Sequence, residues 1–460
     1  MSRIGSPVGA SGLAAQLGGN LLERGEAGFD EARAAWNARF DRSPDLIALS
    51  TSSEDVRAAI DFARENRSTL SVKGCGHSYA VSSVAEGGLL IDLSPMKSIA
   101  VDVAGKRATV GAGVTCGQLD AATQQHGLAT PAPTVSSVGV IGAALGGGSG
   151  YLSRSYGLAL DNVTAAEVVT ADGRQLRVSA DEHPDLFWAI RGGGGNFGVV
   201  TSLDLRLHEV GPMVLSGQII YPFENAREHL RFYKDFMARA PEELQCYAFF
   251  FRTPPIDAFP AEWHGRPVVD FVFCHQDPEA FDAVQPLRQL GTPILDLTAP
   301  ASYVATQTAF DASLPPGQRY LSKAHDLDEL TDGAIDTIVE YVPNTVGAFT
   351  AAYVDPLGGA IGRVPMDATA YAGRGSKYGF HIIAGWTPSA EDASVIGWAS
   401  GFADAMAQHA NGGVYVNLIA DDETDRVPNA YGPNFRRLRE LKRMWDPENL
   451  FSSNHNIPPA

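Results

Sequence analysis

The spacing of apolar and polar residues predicts a β-α-β unit near the start of the chain. Residues 45–49 and 70–72 are short apolar runs of the kind that form buried strands. Between them, the apolar residues of segment 56–63 recur at helical spacing, and Thr51-Ser52-Ser53-Glu54 before them has the pattern of a capping box. The pattern therefore predicts a helix that begins just after residue 51 and connects two strands.

The next segment favours antiparallel strands. Residues 89–93 form a third apolar run, and residues 99–102 and 107–110 flank an Ala-Gly-Lys turn as a hairpin would. A short helix is predicted over 118–125, and it ends at a glycine.

After residue 212, alternating strands are interspersed with amphipathic helices, which predicts an antiparallel sheet covered on one face. The predicted strands lie near 214–220, 246–252, 267–274 and 347–353. The predicted helices lie near 225–239, 278–290, 328–341 and 390–408.

Charge and composition exclude several classes of function. The chain has 35 basic and 53 acidic residues, a net charge of −18, so nucleic acid and anionic membranes are poor partners. Its four cysteines form no Cys-x-x-Cys pair, which indicates neither a metal site nor a disulfide framework. No run reaches the roughly 18 apolar residues of a membrane helix, and no signal peptide is recognisable. We expect a cytoplasmic enzyme that holds no metal.

Two glycine clusters, in segments 139–150 and 192–198, interrupt the apolar pattern. Glycine at this density serves either tight turns or a close approach of the backbone to a ligand such as phosphate. Neither a Rossmann fingerprint nor a Walker lysine accompanies them. Taken alone, the clusters leave both interpretations open.

Several motifs in one order carry a specific resemblance. They are Lys73–Ser78, Val138–Gly150, Tyr156–Asn162, Asp185–Gly198, Tyr431–Asn434, Asp446–Phe451 and Asn454–Pro459. Together they resemble the berberine-bridge-enzyme-like branch of the vanillyl-alcohol-oxidase flavoprotein superfamily, from about residue 43 to 460. The resemblance implies an α+β fold, with a two-part FAD-binding domain of the vanillyl-alcohol-oxidase type and an α+β substrate domain built on an antiparallel sheet.

The resemblance also implies a division of the chain. Residues 1–42 would be an N-terminal extension and helix, poorly ordered at its tip, and residues 43–211 the FAD-binding domain. Residues 212–415 would form the substrate domain, and residues 416–460 would return to the FAD domain.

By the same resemblance, His77 is the covalent attachment point of FAD; the alternative is an ordinary turn histidine. Many members add a cysteinyl link eleven residues before the triple glycine, where this chain has Val135. A single covalent link is therefore expected. The cofactor-binding residues implied beside His77 are Lys73, Gly74, Cys75, Gly76, Ser78, Val138, Gly139, Gly142, Gly146, Gly147, Gly148, Val200, Asn454 and Asn456.

The histidine turn departs from the family pattern at two positions. Lys73 replaces the usual arginine, and Cys75 replaces the usual glycine. A Cβ at residue 75 disfavours positive φ and changes the expected turn. Cys75 is read as a bystander, with a reactive thiol as the alternative.

The candidate bases are Tyr415, His381 and Tyr378. Tyr415 matches the tyrosine of the family's Tyr-x-Asn strand, and a tyrosine needs nearby donors or positive charge to act as a base at neutral pH. His381 stands where relatives place a Gln or Glu facing the flavin, and could act near pH 7. The alternative for His381 is a satisfied histidine within a strand, and the choice among the three residues stays open.

Val138 matches the position that flanks the oxygen-accessible edge of the flavin in relatives, where valine accompanies fast reaction with dioxygen. We expect an FAD-dependent oxidase that moves a hydride from a C–H of a small-molecule alcohol, sugar or amine to flavin N5, with peroxide as second product. Two alternatives remain: a tailoring enzyme for oxidative cyclisation, desaturation or oxygenation, and a non-catalytic binding protein on a flavin fold. The substrate and the oligomeric state are left undetermined.

Overall fold

Short apolar runs in the first half of the chain become the strands of three small sheets, and longer alternating runs in the second half form one large sheet. The computed structural model describes residues 9–80 and 82–460. In chain order the strands are β1 (Asn20–Glu23), β2 (Leu46–Leu49), β3 (Leu70–Lys73), β4 (Leu89–Asp92), β5 (Ile99–Asp102), β6 (Arg107–Gly111), β7 (Leu128–Ala129), β8 (Val163–Val169), β9 (Gln175–Ser179), β10 (Val199–Arg206), β11 (His208–Glu209), β12 (Met213–Pro222), β13 (Leu244–Arg252), β14 (Pro267–His275), β15 (Leu295–Asp296), β16 (Ala299–Ser302), β17 (Arg319–Leu327), β18 (Ala351–Pro356) and β19 (Tyr378–Trp386).

The α-helices cover the sheets and connect the strands. In chain order they are α1 (Ala10–Ala14), α2 (Phe29–Arg33), α3 (Ser53–Asn66), α4 (Cys116–Thr123), α5 (Val140–Gly146), α6 (Ser153–Tyr156), α7 (Pro184–Gly193), α8 (Ala226–Met237), α9 (Phe281–Arg288), α10 (Tyr303–Gln307), α11 (Asp332–Tyr341), α12 (Ala360–Arg363), α13 (Asp392–Ala407), α14 (Val427–Tyr431) and α15 (Phe435–Trp445). None of the helices in the described ranges combines the length and apolarity needed to cross a bilayer.

The predicted β-α-β unit is present in the first sheet, whose strand order is β1-β2-β4-β3. Strands β2 and β3 both pair in parallel with β4, and α3 makes the connection between them. The predicted capping box at Thr51 is wrong, because the N-cap is Ser52, which accepts from the backbone N–H of Asp55. The helix begins one residue later than the pattern suggested, so Glu54 is not at the capping position.

The predicted hairpin is β5 and β6, and it belongs to a five-stranded antiparallel sheet of order β5-β6-β10-β8-β9. The apolar inward faces of these strands share one core with α3, α5 and α7. This core supports the glycine-rich loops at its edge.

Strands β7 and β11 form a separate antiparallel pair, and the large sheet is antiparallel, has eight strands, and follows the order β15-β12-β14-β13-β18-β19-β17, with β16 paired to β12. Alternate residues of its strands pack against helices α8, α11 and α13. The intervening residues point to the opposite face, which carries no helical layer of that kind and lines a cavity. The α+β class with an antiparallel sheet is therefore confirmed.

Strand β17 and residues 415–417 are among the segments that differ from the sequence prediction. Strand β17 was missed because its sequence, RYLSKAHDL, hides the alternation: Lys323 and His325 are buried through polar partners, Asp422 and the carbonyl oxygen of Ala403. Residues 415–417 were expected in a strand, but Val416–Leu418 is a 3-10 turn.

The C-terminal tail packs against the second glycine cluster. The buried Lys442 ammonium group donates to the carbonyl oxygens of Asn196 and Phe451 and lies 2.7 Å from the Asp446 carboxylate. The backbone N–H of Ile457 donates to Asn196 Oδ1 at 2.9 Å. The tail thus closes one wall of the cavity, whereas the predicted disorder at the N-terminal tip falls partly on residues 1–8, outside the described residues.

Candidate active site

A cavity of about 920 Å³ lies between the glycine-rich loops of the first half and the face of the large sheet that is turned away from helices α8, α11 and α13. Most predicted site residues line it: Gly74, Cys75, Gly76, His77, Ser78, Val138, Gly139, Gly142, Gly146, Val200, His381, Tyr415 and Asn454. The folding of the chain therefore brings residues from positions 74 to 454 to one site.

Lys73 and Tyr378 are corrections to the sequence prediction, because neither lines the cavity. The Lys73 ammonium group is buried, 3.2 Å from the Asp92 carboxylate, and also donates to the carbonyl oxygen of Ala32. Lys73 therefore supports the turn that carries His77 without facing the cavity. Tyr378 lies on β19 in the same alternation as Phe380, packed into the core beneath the helices, so it is not a candidate base.

Gly147, Gly148 and Asn456 also fall outside the lining of the cavity, and the two glycines have a different role from cofactor contact. The backbone N–H of Gly148 donates to the Tyr415 hydroxyl at 2.7 Å. A Cβ on Gly147, where φ is +149°, would lie 2.6 Å from the Tyr415 ring. Glycine is required here because the loop passes directly against the tyrosine.

The Tyr415 hydroxyl accepts a second hydrogen bond, from Asn417 Nδ2 at 2.8 Å. Burial raises the pKa of Tyr415, and the donors from Gly148 and Asn417 only oppose that shift. Tyr415 is therefore held neutral. With two donors already pointing at its oxygen, its own proton is left to donate to a ligand.

His77 is fixed by contacts on two sides. Its ring stacks on Trp36 with centroids 4.7 Å apart, and its Nε2 lies 2.8 Å from Ser137 Oγ. Burial lowers the pKa of His77 to about 4, so the imidazole is neutral at physiological pH. Nδ1 has no hydrogen bond within residues 9–80 and 82–460, and it is the ring nitrogen free to form a bond.

Cys75 faces the glycine loop rather than the imidazole. Its thiol donates to the carbonyl oxygen of Gly113 at 3.4 Å, and it is close enough to Gly139 that a Cβ there would lie 3.0 Å from the sulfur. Burial raises the pKa of Cys75, which keeps the thiol protonated. Val135, where relatives carry a second link, does line the cavity.

His381 is buried on the cavity face of β19, and its Nδ1 has no hydrogen-bond partner among the described residues. It is therefore not a satisfied strand histidine. Burial lowers its pKa to about 3, and its ring lies 4.8 Å from the Tyr353 ring and 6.5 Å from that of Tyr415.

Sequence reasoning missed two carboxyl groups that line the cavity. Asp355 accepts from Ser149 Oγ at 3.0 Å and from Gln245 Nε2 at 2.9 Å, and burial raises its pKa to about 7. Asp270 is also buried, and burial raises its pKa to about 8. Both occur as a lone aspartate within an apolar strand, AAYVDP and PVVDFVF, and that was the available signal.

The residues around the glycine loops fit a flavin dinucleotide. The side-chain oxygen of Asn454 lines the cavity and is buried without a partner in the described ranges, which is the condition of a group that awaits a ligand. A Cβ on Gly142 or Gly194 would project into open space, so the cradle is formed by exposed backbone. Gly142 also lies in the first turn of α5, and exposed backbone at that end of a helix suits phosphate groups.

Comparison with known proteins supports the same interpretation. Residues 44–179 match the family model of an FAD-binding domain, and residues 414–458 match the model described as berberine and berberine-like. The FAD-linked oxidoreductase YgaK of Bacillus subtilis is 30% identical over 452 residues, covering 96% of this chain and 98% of the relative.

Two further similarities concern proteins with named substrates. A xylooligosaccharide oxidase of Thermothelomyces thermophilus is 29% identical, covering 92% of this chain and 89% of its own. The crystal structure of 6-hydroxy-D-nicotine oxidase from Arthrobacter nicotinovorans superposes with a TM-score of 0.87 at 28% identity, covering 96% of this chain and 98% of that one.

Proposed function

This chain belongs to the berberine-bridge-enzyme-like FAD-linked oxidoreductases, and we propose that it oxidises a small-molecule alcohol, sugar or amine and returns the electrons to dioxygen as hydrogen peroxide. The observation that carries the proposal is the meeting of Asp355, Tyr415 and His381 in one cavity with the glycine-rich loops. The named relatives include oxidases of sugars and of a nicotine derivative, which is consistent with this range of substrates.

We assign FAD to residues 43–211 together with the tail, 416–460, and the substrate to residues 212–415. His77 would carry the single covalent link, through Nδ1, because Ser137 already engages Nε2 and the imidazole is neutral. When bound, FAD would accept the hydride and pass the electron pair to dioxygen. Val138 lines the same cavity and would border the flavin edge at which dioxygen reacts.

Asp355 is the proton acceptor we propose, because it lines the cavity together with Tyr415 and His381 and its pKa suits the role. An efficient base has a pKa near the working pH. The pKa of Asp355 is about 7, whereas that of His381 is about 3 and that of Tyr415 is raised above its ordinary value. The proton of the substrate O–H or N–H would pass to Asp355 while the hydride leaves the adjacent carbon, which becomes C=O or C=N.

Tyr415 and His381 would orient the reacting group. The Tyr415 hydroxyl is fixed by Gly148 and Asn417, so its proton can be donated to the substrate oxygen or nitrogen. The unpartnered Nδ1 of His381 offers either an acceptor or a donor on the same side. Together they would hold the C–H bond in one direction before transfer.

The test is reduction of the purified yellow holoenzyme under anaerobic conditions by a panel of alcohols, sugars and amines. At least one compound should bleach the flavin band, and admission of air should restore the band with one equivalent of peroxide. Peroxide well below one equivalent, together with an oxygenated product, would contradict the oxidase assignment. A protein that purifies without flavin would contradict the cofactor assignment as well.

A further inference from the structure

One row of residues crosses the cavity face of the large sheet in direct register. Asp270 of β14 pairs with Phe249 of β13, Phe249 with Tyr353 of β18, and Tyr353 with His381 of β19. Directly paired residues share a face, and all four line the cavity. Three steps between strands place Asp270 about 14 Å from His381.

Asp270 is the unexplained member of this row. It is 2% exposed, and its Oδ1 has no hydrogen-bond partner in the described part of the chain. A carboxyl group buried without a partner costs free energy, and burial accordingly raises the pKa of Asp270 to about 8. The proposed proton transfer does not use it, because the reacting groups lie at the other end of the row.

The middle of the row is aromatic. The rings of Phe249 and Tyr353 are stacked with centroids 4.7 Å apart, and Phe310 lies 5.1 Å from Phe249. Flat apolar surfaces of this kind receive an aromatic or aliphatic body, and their faces attract cations.

The charges around the cavity favour a cation over an anion. Arg252 is the one Lys or Arg among the described lining residues, and its guanidinium donates to the carbonyl oxygen of Pro343 near the surface. The whole chain carries −18. A cationic group is the partner that would keep the Asp270 carboxylate ionised in this setting, whereas a neutral hydroxyl would leave the carboxyl group protonated.

We propose that Asp270 is the counter-ion for an ammonium group at the far end of the substrate, and that the enzyme therefore acts on elongated amine-bearing molecules. The apolar body of such a substrate lies along Phe249 and Tyr353, and the carbon to be oxidised lies beside Asp355 and Tyr415. This inference rests on the proposed function for the position of the reacting end. The binding of the ammonium group by Asp270 does not depend on which residue accepts the proton.

The experiment measures binding to the oxidised holoenzyme by perturbation of the flavin spectrum, with two amino alcohols as probes. These are para-(aminomethyl)benzyl alcohol and its biphenyl homologue, each compared with the diol in which a hydroxyl group replaces the ammonium group. The variants are Asp270→Asn and, as the matched loss of a surface charge in the same part of the chain, Asp282→Asn.

In the wild type and in Asp282→Asn, at least one amino alcohol should bind more tightly than its diol. In Asp270→Asn the Kd of that amino alcohol should rise by about 10- to 100-fold, the effect of losing one charge-assisted hydrogen bond, while the Kd of the diol changes little. Retained binding of the diol shows that the variant is folded.

Equal binding of amino alcohol and diol by the wild type, or an equal loss of both in Asp270→Asn, would overturn the proposal. Its failure is distinguishable from failure of the proposed function. Selective ammonium binding without flavin reduction by any compound would leave Asp270 as an amine site and reject the oxidase. Flavin reduction without a preference for the amino alcohol over its diol would support the oxidase and reject Asp270 as an amine site.

Discussion

Replacement of Asp355 by asparagine tests the proposed proton acceptor with little disturbance of its surroundings. The carboxylate accepts from Ser149 and Gln245, and Gln245 Oε1 has no partner in the described structure. In Asp355→Asn, the Gln245 amide can turn so that its oxygen accepts from the new amide, while Ser149 still donates to the remaining oxygen. We therefore expect a folded variant that binds flavin.

The expected effect on catalysis is large. A positioned general base contributes about 10²- to 10⁴-fold, so kcat/KM should fall by that factor in Asp355→Asn. The pKa of Asp355, about 7, also fixes the sign of the pH dependence. In the wild type, kcat/KM should rise about tenfold per pH unit below 7, where the carboxylate is still being formed, and level off above it. The pH profile of Asp355→Asn should lack this rising limb below pH 7.

The raised pKa of Asp355 also makes the stability of the fold depend on pH. This contribution to stability falls as the pH rises, whereas the activity increases. The folded state binds the Asp355 proton more tightly than the unfolded state, so this group stabilises the fold at low pH and its contribution is lost as pH rises through about 7. The melting temperature of Asp355→Asn should therefore rise relative to that of the wild type as the pH is raised from 5 to 8.

The assay is the rate of anaerobic flavin reduction in single turnover, measured from pH 5 to pH 9. Asp120→Asn is the control, because burial raises the pKa of Asp120 to about 7 as well, yet Asp120 does not line the cavity that holds Asp355. The control should keep the pH limb. A wild-type rate in Asp355→Asn, or the same limb in that variant, would refute the assignment of Asp355 as the base.

Two further predictions concern the neighbours of this group. Tyr415→Phe should slow flavin reduction by about 10²- to 10³-fold. It should also lower the free energy of unfolding by about 1–3 kcal/mol, because the N–H group of Gly148 loses its acceptor. The control is Tyr371→Phe, which should not slow flavin reduction although the Tyr371 ring lies 6.3 Å from that of Tyr415. Cys75→Ser should keep both the covalent flavin and the activity, because the raised pKa of Cys75 holds the thiol protonated; flavin released from this variant by acid would show that the sulfur takes part.

Local sequence patterns were sufficient to predict several elements of the fold. The apolar spacing around α3 and the turn between β5 and β6 each depend on nearby residues, and both elements appear as predicted. Strand β17 was missed because Lys323 and His325 are buried only through partners distant in the chain, and a sequence pattern cannot show such partners.

The sequence motifs predicted many of the residues that form the site, but not which of their side chains face the cavity. Tyr378 and His381 lie on one strand, and alternation places them on opposite faces, yet only the packed sheet shows which face borders the cavity. Asp355 and Asp270 were missed for a related reason. A lone aspartate in a strand acquires a meaning only when burial and neighbouring strands are known.

The single covalent bond to His77 is tested most directly by acid precipitation of the wild type and of His77→Ala. We predict a yellow wild-type pellet, an intact mass that includes one flavin, and flavin released entirely into the supernatant from His77→Ala. Flavin released from the wild type, or retained by the His77→Ala pellet, would contradict it.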